Sequence, residues 1–435
     1  MAELDDREGF RTEARAWLDA NLPASLRGDP DSIPDALLRG EPLNGDAALW
    51  RKRIGEKGWG APTWPKAYGG GGLNPGQARI LAEEMASIGA ANPIVGMGTS
   101  MFGPTLLEYG TEDQKQRHIP PIVRGELRWC QGYSEPGAGS DLAALQTKCE
   151  DAGDHWKING QKIWTSGAQY ADWCFCLVRT DPSRKHDGIS FVLVNMRQPG
   201  VETRPIKLIA GNSPFCETFF TDARVEKNDM VGPLNGGWTV AKRLLQHERS
   251  GQGGGRVMGG GASLPDLEAT YGDNSEGDDL RVRVLANMID ARAHALTQKR
   301  AAADARGNQN PSFTTSIMKN SGTRIGQEKA ELTLEIMGSQ GLGWEGEGFT
   351  DEERAAVRGW LSGKATTIYG GSFEIQNNIF PSGFWDSPIP HVRRKSAPHT
   401  ISGKSAHSWL ISAERPPTPS APRRKTGWRP IFPRP

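Results

Sequence analysis

Residues 156–166 read Trp156-Lys157-Ile158-Asn159-Gly160-Gln161-Lys162-Ile163-Trp164-Thr165-Ser166. Aromatic and β-branched side chains flank Asn159-Gly160, a dipeptide suited to type I′ turns, so the stretch predicts a β-hairpin turning at 159–160. Further short strands are expected at Phe175 to Arg179, Ile189 to Met196 and Thr218 to Thr221. The strand period holds from about residue 129 to 232, the length of a mostly antiparallel β domain.

Outward from this block the period becomes helical. Phe10, Ala14, Trp17, Leu18 and Leu22 recur at helical spacing before Pro23, and Thr111-Glu112-Asp113-Gln114 has the form of a capping box. Trp59 to Pro65, Tyr68 and four glycines read as loop between them. After Gly236-Gly237 the helical period returns and runs to about 379, with glycine clusters at 253–255 and 259–261 and a polar stretch at 271–279. The order of helices, strands and helices predicts an α+β multidomain chain. It divides into an N-terminal α-helical domain (1–127), a middle antiparallel β domain (128–234), a C-terminal helical bundle (235–380) and a tail (381–435). No strand–helix alternation supports a Rossmann domain, and Gly403-Lys404-Ser405 lacks the earlier glycine of a P-loop.

The 435 residues carry 52 basic and 51 acidic side chains, so no global basic field argues for nucleic acid. Residues 387–435 hold ten Lys/Arg, ten prolines and one acid, Glu414. The body is therefore acidic and the tail is of another composition. No run of eighteen apolar residues is present, and Met1-Ala2-Glu3-Leu4-Asp5-Asp6 is too acidic for a signal peptide, so a cytoplasmic protein without a membrane span is expected. The cysteines (130, 149, 174, 176, 216) are odd in number, and Cys174 and Cys176 are expected on opposite strand faces. Neither a disulfide framework nor a metal knuckle is expected, and the histidines form no HExxH pair.

Three segments could carry chemistry. On a helix starting near Trp238, Glu248 continues the stripe of Trp238, Ala241, Leu244 and Leu245; a carboxylate held there would lose hydration and suit a general base. The alternative is a helix end where Glu248 reaches solvent and balances a nearby cation. Ser134-Glu135-Pro136-Gly137-Ala138-Gly139-Ser140-Asp141 is a glycine-punctuated loop that would admit a ligand to backbone N–H groups, or is an ordinary turn. Trp164-Thr165-Ser166 offers an aromatic face and two hydroxyls to a flat heteroaromatic ring, or is a buried Trp with ordinary neighbours.

Taken in order with Asn159-Gly160-Gln161-Lys162-Ile163-Trp164, Ile368-Tyr369-Gly370-Gly371-Ser372 and Ile375-Gln376, these segments resemble the acyl-CoA dehydrogenase family over roughly residues 8–379. The resemblance implies that family's fold, with a four-helix bundle at its C-terminal end, and FAD as cofactor. It implies a flavin-side loop from Gln131 through Tyr133, Ser134, Gly139 and Ser140. Trp164 and Thr165 would lie beside the isoalloxazine, with the Ser166 hydroxyl near flavin N5. Ser140 would also border the acyl-CoA channel, and Arg249 would line the substrate side with Gly370 and Gly371. Glu335, Gly338, Ser339, Ser372 and Glu374 match positions that grip the FAD of a neighbouring subunit, which implies a homo- or hetero-oligomer such as a dimer of dimers.

Two departures bear on the chemistry. The best-known branch has its catalytic Glu directly after the Tyr matching Tyr369, where this chain has Gly370; the branches that carry the base on the helix of Glu248 place it before an Arg, as in Glu248-Arg249. The family's Arg-x-x-Phe-Gly stretch is not recognisable from Arg300 to Phe313. The expected reaction is α,β-dehydrogenation of an acyl-CoA to the trans-2-enoyl-CoA. Glu248 would take the α-proton, the Gly370 N–H would polarise the thioester oxygen, and an electron-transfer flavoprotein would take the electrons. A flavin oxidase or monooxygenase on the same fold, one subunit of a heteromeric dehydrogenase, and a non-catalytic acyl-CoA-binding module are the alternatives.

The tail reads as out of frame. Deleting one base from codons for Ile-Phe-Ala-Lys-Arg-Val-Leu-Gly-Leu-Pro yields Ile379-Phe380-Pro381-Ser382-Gly383-Phe384-Trp385-Asp386-Ser387-Pro388. A helix capped by Ser372 is then expected to stop at Pro381 and residues 381–435 to be disordered; the alternative is a genuine basic extension.

Overall fold

The computed structural model describes residues 2–31, 33, 36, 37, 40–254, 263–271, 278–305 and 312–384; side chains of 2–6, 248–254, 278, 302, 304–305, 312–315 and 379–384 lie outside the description. Helices α1 (Ala2–Asn21), α2 (Gly45–Glu56), α3 (Pro75–Ser87), α4 (Gly103–Tyr109) and α5 (Glu112–Val123) come first. The apolar spacing read in α1 is a buried stripe: Phe10, Ala14, Leu18 and Leu22 pack with Trp50, Ile54, Leu81 and Met85. Buried Glu84 joins α3 to α1 by accepting from Arg11 Nη1 (2.5 Å) and Arg15 Nε (2.7 Å). Thr111 and Gln114 exchange the two hydrogen bonds of a capping box at the start of α5.

Eight strands follow: β1 (Trp129–Gly132), β2 (Lys148–Asp151), β3 (His155–Ser166), β4 (Trp173–Arg179), β5 (Ile189–Asn195), β6 (Val201–Ile206), β7 (Phe215–Glu226) and β8 (Met230–Val231). They form one sheet in the order β6-β7-β3-β2-β4-β5-β8, with β1 paired in parallel to β4. Both faces are covered, so β4 and β5 read as continuous apolar runs. Phe175, Leu177, Phe191 and Leu193 face the helices, against Phe102, Ile122, Val240 and Leu244. Cys174, Cys176, Val192 and Val194 face the other way, with Cys130, Cys149, Ile158 and Cys216. Two-residue spacing along a strand keeps side chains on one face, so the expectation that Cys174 and Cys176 diverge is overturned. All five cysteines are buried free thiols. Burial pushes the thiols of Cys174 and Cys176 well above the ordinary value and that of Cys149 up to about 12, which leaves them inert.

The hairpin expectation is also overturned. Asn159-Gly160 lies inside β3, which runs unbroken from His155 to Ser166, and the turn into β3 is made by Asp151 to Asp154. The glycine is needed for close approach rather than for turning. A Cβ at Gly160 would stand 2.6 Å from Thr147 Oγ1 and 2.7 Å from its Cα. Asn159 instead bonds across to β7, donating from Nδ2 to Asp222 Oδ1 (2.9 Å) and accepting from the Asp222 N–H (2.8 Å).

Helices α6 (Gly237–Gly254), α7 (Leu264–Tyr271), α8 (Asp278–Ala305), α9 (Ser312–Met337), α10 (Asp351–Gly363) and α11 (Phe373–Phe384) complete the described chain. Helix α9 touches each of the other five. The third correction is at α11, which continues past Pro381 to Phe384. Proline removes one N–H donor, but its fixed φ is that of a helix, so the run can continue. The disorder expected of 381–435 fails at 381–384, which end α11, and for 385–435 it lies outside the described residues, as do the glycine cluster at 259–261 and residues 272–277 of the polar loop expected at 271–279. None of the described helices is long and apolar enough to cross a membrane.

Since Gly160 abuts Thr147 and Gly153 has open space around it, the two positions should respond differently. Gly160→Ala is expected to lose about 1–3 kcal/mol by urea denaturation. Inserting two residues at 153 should be tolerated, whereas the same insertion at 159–160 should unfold the sheet.

Candidate functional site

The loop after β1 is fixed from below by a buried ion pair. Lys162 is fully buried, and its Nζ donates to Glu135 Oε1 (2.7 Å) and to the Tyr133 carbonyl (3.2 Å). Glu135 also accepts the N–H groups of Gln146 (2.6 Å) and Thr147 (2.9 Å). Burial alone would raise this carboxyl's pKa; the Lys162 ammonium and the two amides outweigh it and hold it below its ordinary value. The Ile163 N–H donates to the Ser134 carbonyl (2.9 Å), so the loop and the end of β3 are bonded neighbours. Tyr133 is buried below, Ser134 is half-buried, and Gly139 and Ser140 are exposed.

At the end of β3 the register with β7 slips. Lys162 pairs with Thr218 and Thr165 with Cys216, so two residues, Ile163 and Trp164, oppose Glu217 alone. Bulges of this kind re-aim a side chain. Trp164 sits at φ 61°, a left-handed conformation disfavoured for a bulky residue, and its side chain is 53% exposed, edge-on to Phe215. Thr165 is fully buried with its Oγ1 unpaired, and the Gln131 Nε2 on β1 is unpaired as well. Ser166 is half-buried beside them. An offered indole and unsatisfied polar atoms in one neighbourhood fit a flat heteroaromatic group that carries its own donors and acceptors.

A second group of residues lies between α9 and α11. Gly370 and Gly371 take φ values of 67° and 92°. The Gly370 carbonyl accepts from Gln376 Nε2 (2.7 Å) and the Gly371 carbonyl from Lys319 Nζ (2.5 Å). Ile368 and Phe373 border this turn with exposed side chains. A hydrogen bond from Ser372 holds the exposed Glu374 carboxyl below its ordinary value. At the far end of α9, Glu335 accepts two hydrogen bonds from Arg283 (2.6 and 2.7 Å), and Gly338 and Ser339 form the following turn.

The third element is α6. Ala241 and Leu244 are buried, with Trp238 and Leu245 packed beside them, as the stripe predicts. Glu108 on α4 clamps the helix, accepting from Arg243 Nε and Nη2 (2.7 Å each) and lying 3.2 Å from His247 Nε2. Positions 248 and 249 follow on the same helix, but the side chains of Glu248 and Arg249 lie outside the described residues.

Within the chain, then, Gln131 to Ser140 and Trp164 to Ser166 come together. Glu335, Gly338 and Ser339 form a separate group, as do Gly370 to Glu374. Sequence reasoning assigned no role to Glu135, Lys162, Lys319 or Gln376. Lys162 left a signal, because it falls in step with buried Ile158; Lys319 left none. No group of three His, Cys, Asp or Glu side chains among the described residues could hold a metal.

Sequence models described as the N-terminal, middle and C-terminal domains of acyl-CoA dehydrogenase match residues 5–126, 130–223 and 235–382. Acyl-CoA dehydrogenase IpdE1 of Mycobacterium tuberculosis is 36% identical over 388 residues, covering 86% of this chain and 96% of its own. The solved ChsE4-ChsE5 complex from Mycobacterium tuberculosis aligns with a TM-score of 0.69 at 29% identity, over 88% of this chain and 98% of that one. A structure titled Tcur3481-Tcur3483 steroid ACAD aligns with a TM-score of 0.70 at 29% identity, over the same shares of the two chains.

The ion pair beneath the loop yields a stability test. Lys162→Met leaves a buried carboxylate without its cation and should cost about 3–5 kcal/mol, while Lys162→Met with Glu135→Leu should recover most of it. Because the Glu135 pKa is lowered on folding, its stabilisation is complete above the unfolded carboxyl's ordinary value and is lost as pH falls through the folded one. Chemical denaturation from pH 7 to pH 3 should show this loss in the wild type and not in the double variant.

Proposed function

Because this chain belongs to the acyl-CoA dehydrogenase family, we propose that it oxidises the Cα–Cβ bond of an acyl-CoA to a trans-2-enoyl-CoA with FAD as cofactor. Membership makes it an oxidoreductase acting on CH–CH groups. The observation that carries the finer reading is the bulge at Ile163-Trp164, which offers an indole face beside the unpaired Gln131 and Thr165 side chains. Gln131, Tyr133, Ser134, Gly139, Ser140, Trp164, Thr165 and Ser166 would hold the flavin side. Glu335, Gly338, Ser339, Ser372 and Glu374 would hold it from a second subunit.

When bound there, FAD supplies the acceptor for the hydride that leaves Cβ. The chain supplies the rest. Glu248 is the base for the α-proton; it stands one helical turn beyond Leu244 and Leu245, on a helix clamped through Arg243. Gly370 has no side chain to act as base, but keeps an N–H to donate to the thioester oxygen as charge develops there. Arg249 and Ser140 border the substrate, and an electron-transfer flavoprotein takes the electrons. The exposed Ile368 and Phe373, with the steroid enzyme among the solved relatives, support including steroid-derived thioesters among the substrates tested.

Assembly belongs to the same reading. Helix α8 exposes Val282, Leu285, Met288, Ile289 and Leu296, an apolar surface characteristic of an interface. The ChsE4-ChsE5 complex among the solved relatives supports a heteromer as well as a homomer. We place the domain limits at 1–127, 128–234 and 235–380, a division supported by the family matches at 5–126, 130–223 and 235–382. The C-terminal family match ends at 382, in support of an out-of-frame tail from 381. Resequencing the gene tests that point.

Anaerobic addition of the correct acyl-CoA should bleach the flavin, and Glu248→Gln should keep the flavin while losing roughly two to four powers of ten in turnover. Near-normal dehydrogenation by that variant would sink the assignment of the base. In sedimentation, flavin should travel with a dimer or larger species; a flavin-loaded monomer would contradict the two-subunit site.

A further inference from the structure

We propose that Lys319 is a positioning residue whose ammonium, with the Gln376 amide, holds the Gly370-Gly371 turn in the conformation that presents its N–H groups to substrate. The proposal rests on the reading of Gly370 as donor to the thioester oxygen. Two consecutive glycines have the greatest backbone freedom available to a chain, and both here occupy left-handed φ. Left to itself, such a turn would sample many orientations. The structure shows both of its carbonyls held, Gly370 by Gln376 Nε2 at 2.7 Å and Gly371 by Lys319 Nζ at 2.5 Å.

Across each trans peptide the C=O and the next N–H point in opposite directions. Holding the Gly370 and Gly371 carbonyls toward α11 and α9 therefore fixes the Gly371 and Ser372 amides on the opposite side, and the Gly370 amide is set between this fixed stretch and the bonded Tyr369 N–H. The amides before the turn are already engaged, because Ile368 and Tyr369 both donate to the Ala365 carbonyl (3.0 and 3.1 Å). Gly370 and Gly371 thus hold the first amides of this segment without a protein acceptor among the described residues. Gln376 is fully buried and its reach is set by α11. Lys319 arrives from the opposite helix, α9, and brings a full charge, which makes its bond the stronger of the two. Preorganised donors stabilise developing charge only when they need no reorganisation. Lys319 is placed to provide that order without touching the reacting atoms.

The test compares Lys319→Met, Lys319→Arg and wild type in two assays. Hydrogen exchange of Ile368 and Tyr369, whose amides are bonded to the Ala365 carbonyl beside the turn, is followed in the unliganded protein, and kcat and KM are measured with the acyl-CoA that bleaches the flavin. Lys319→Met should speed exchange at 368 and 369 by about tenfold or more while leaving the rest of α9 and α11 as in the wild type. It should also lower kcat roughly 10²-fold with KM within about threefold, because the loss is confined to the transition state. Lys319→Arg, which keeps the charge, should restore most of both. Unchanged exchange at 368 and 369, or a loss explained by a lower melting temperature with no local change, overturns the proposal. If Lys319→Met does not fold, Lys319→Gln is read in the same assays, and wild-type values in both overturn it equally. Should no acyl-CoA reduce the wild-type flavin, the functional reading fails by itself, and the exchange measurement still decides whether Lys319 orders the turn.

Discussion

A lysine with no exposed surface is among the least favourable residues a fold can carry, and the region around Trp164 is organised about one. Lys162 is tolerated because Glu135 lies 2.7 Å away and its carboxylate is further satisfied by two amides. The pair fixes more than itself. Glu135 belongs to the loop after β1 and Lys162 to β3, and the Tyr133 carbonyl joins them through the same ammonium. The loop therefore cannot shift without unpairing two buried charges. Two residues beyond Lys162 the chain bulges and Trp164 turns outward. The strain of a left-handed tryptophan is borne beside the most tightly determined point of the sheet, where it can persist.

How much of this was legible in the sequence follows from the range of the forces involved. The helix stripe of α1, the apolar members of the stripe of α6 and the capping box at Thr111 are local patterns, and these are present as read. Asn159-Gly160 misled because its local preference is for a turn, while the contact that decides its conformation comes from Thr147, thirteen residues before Gly160 in the chain. Cys174 and Cys176 were misplaced by an error of parity rather than of range. At Pro381 a local rule was applied too strongly, since a helix can lose one hydrogen bond and continue. The loop at 134–141 and the segment 164–166 could be found as motifs. That they are bonded neighbours could not, because the Ile163–Ser134 hydrogen bond spans a change of strand.

The clamp on α6 shows the same division. Its apolar face is a matter of periodicity, but the Glu108 carboxylate that fixes it comes from α4, before the sheet begins. Two hydrogen bonds from Arg243 hold that carboxyl below its ordinary value, with His247 adding to the effect despite the cost of burial. The helix that carries Glu248 is thus tied at 243 and 247 to an element more than a hundred residues upstream. Such a tie leaves no periodic trace in either segment.

The two glycines after Tyr369 draw these constraints together. At φ 67° a residue with a side chain would be strained, and at Gly371 an added Cβ would meet Gln376 Nε2 at 2.6 Å. A turn built this way can offer a substrate only its backbone. On the proposed reading, proton abstraction must then come from another element, and α6 is the one to which we assign it. The exchange also opens room, because the position that would carry a base is bare while Ile368 and Phe373 remain exposed around it. On the proposed reading, specialising the turn for hydrogen-bond donation and widening the space beside it are consequences of the same missing side chain. That is why the order of the turn has to be imposed from the flanking helices, through Lys319 and Gln376, rather than from within.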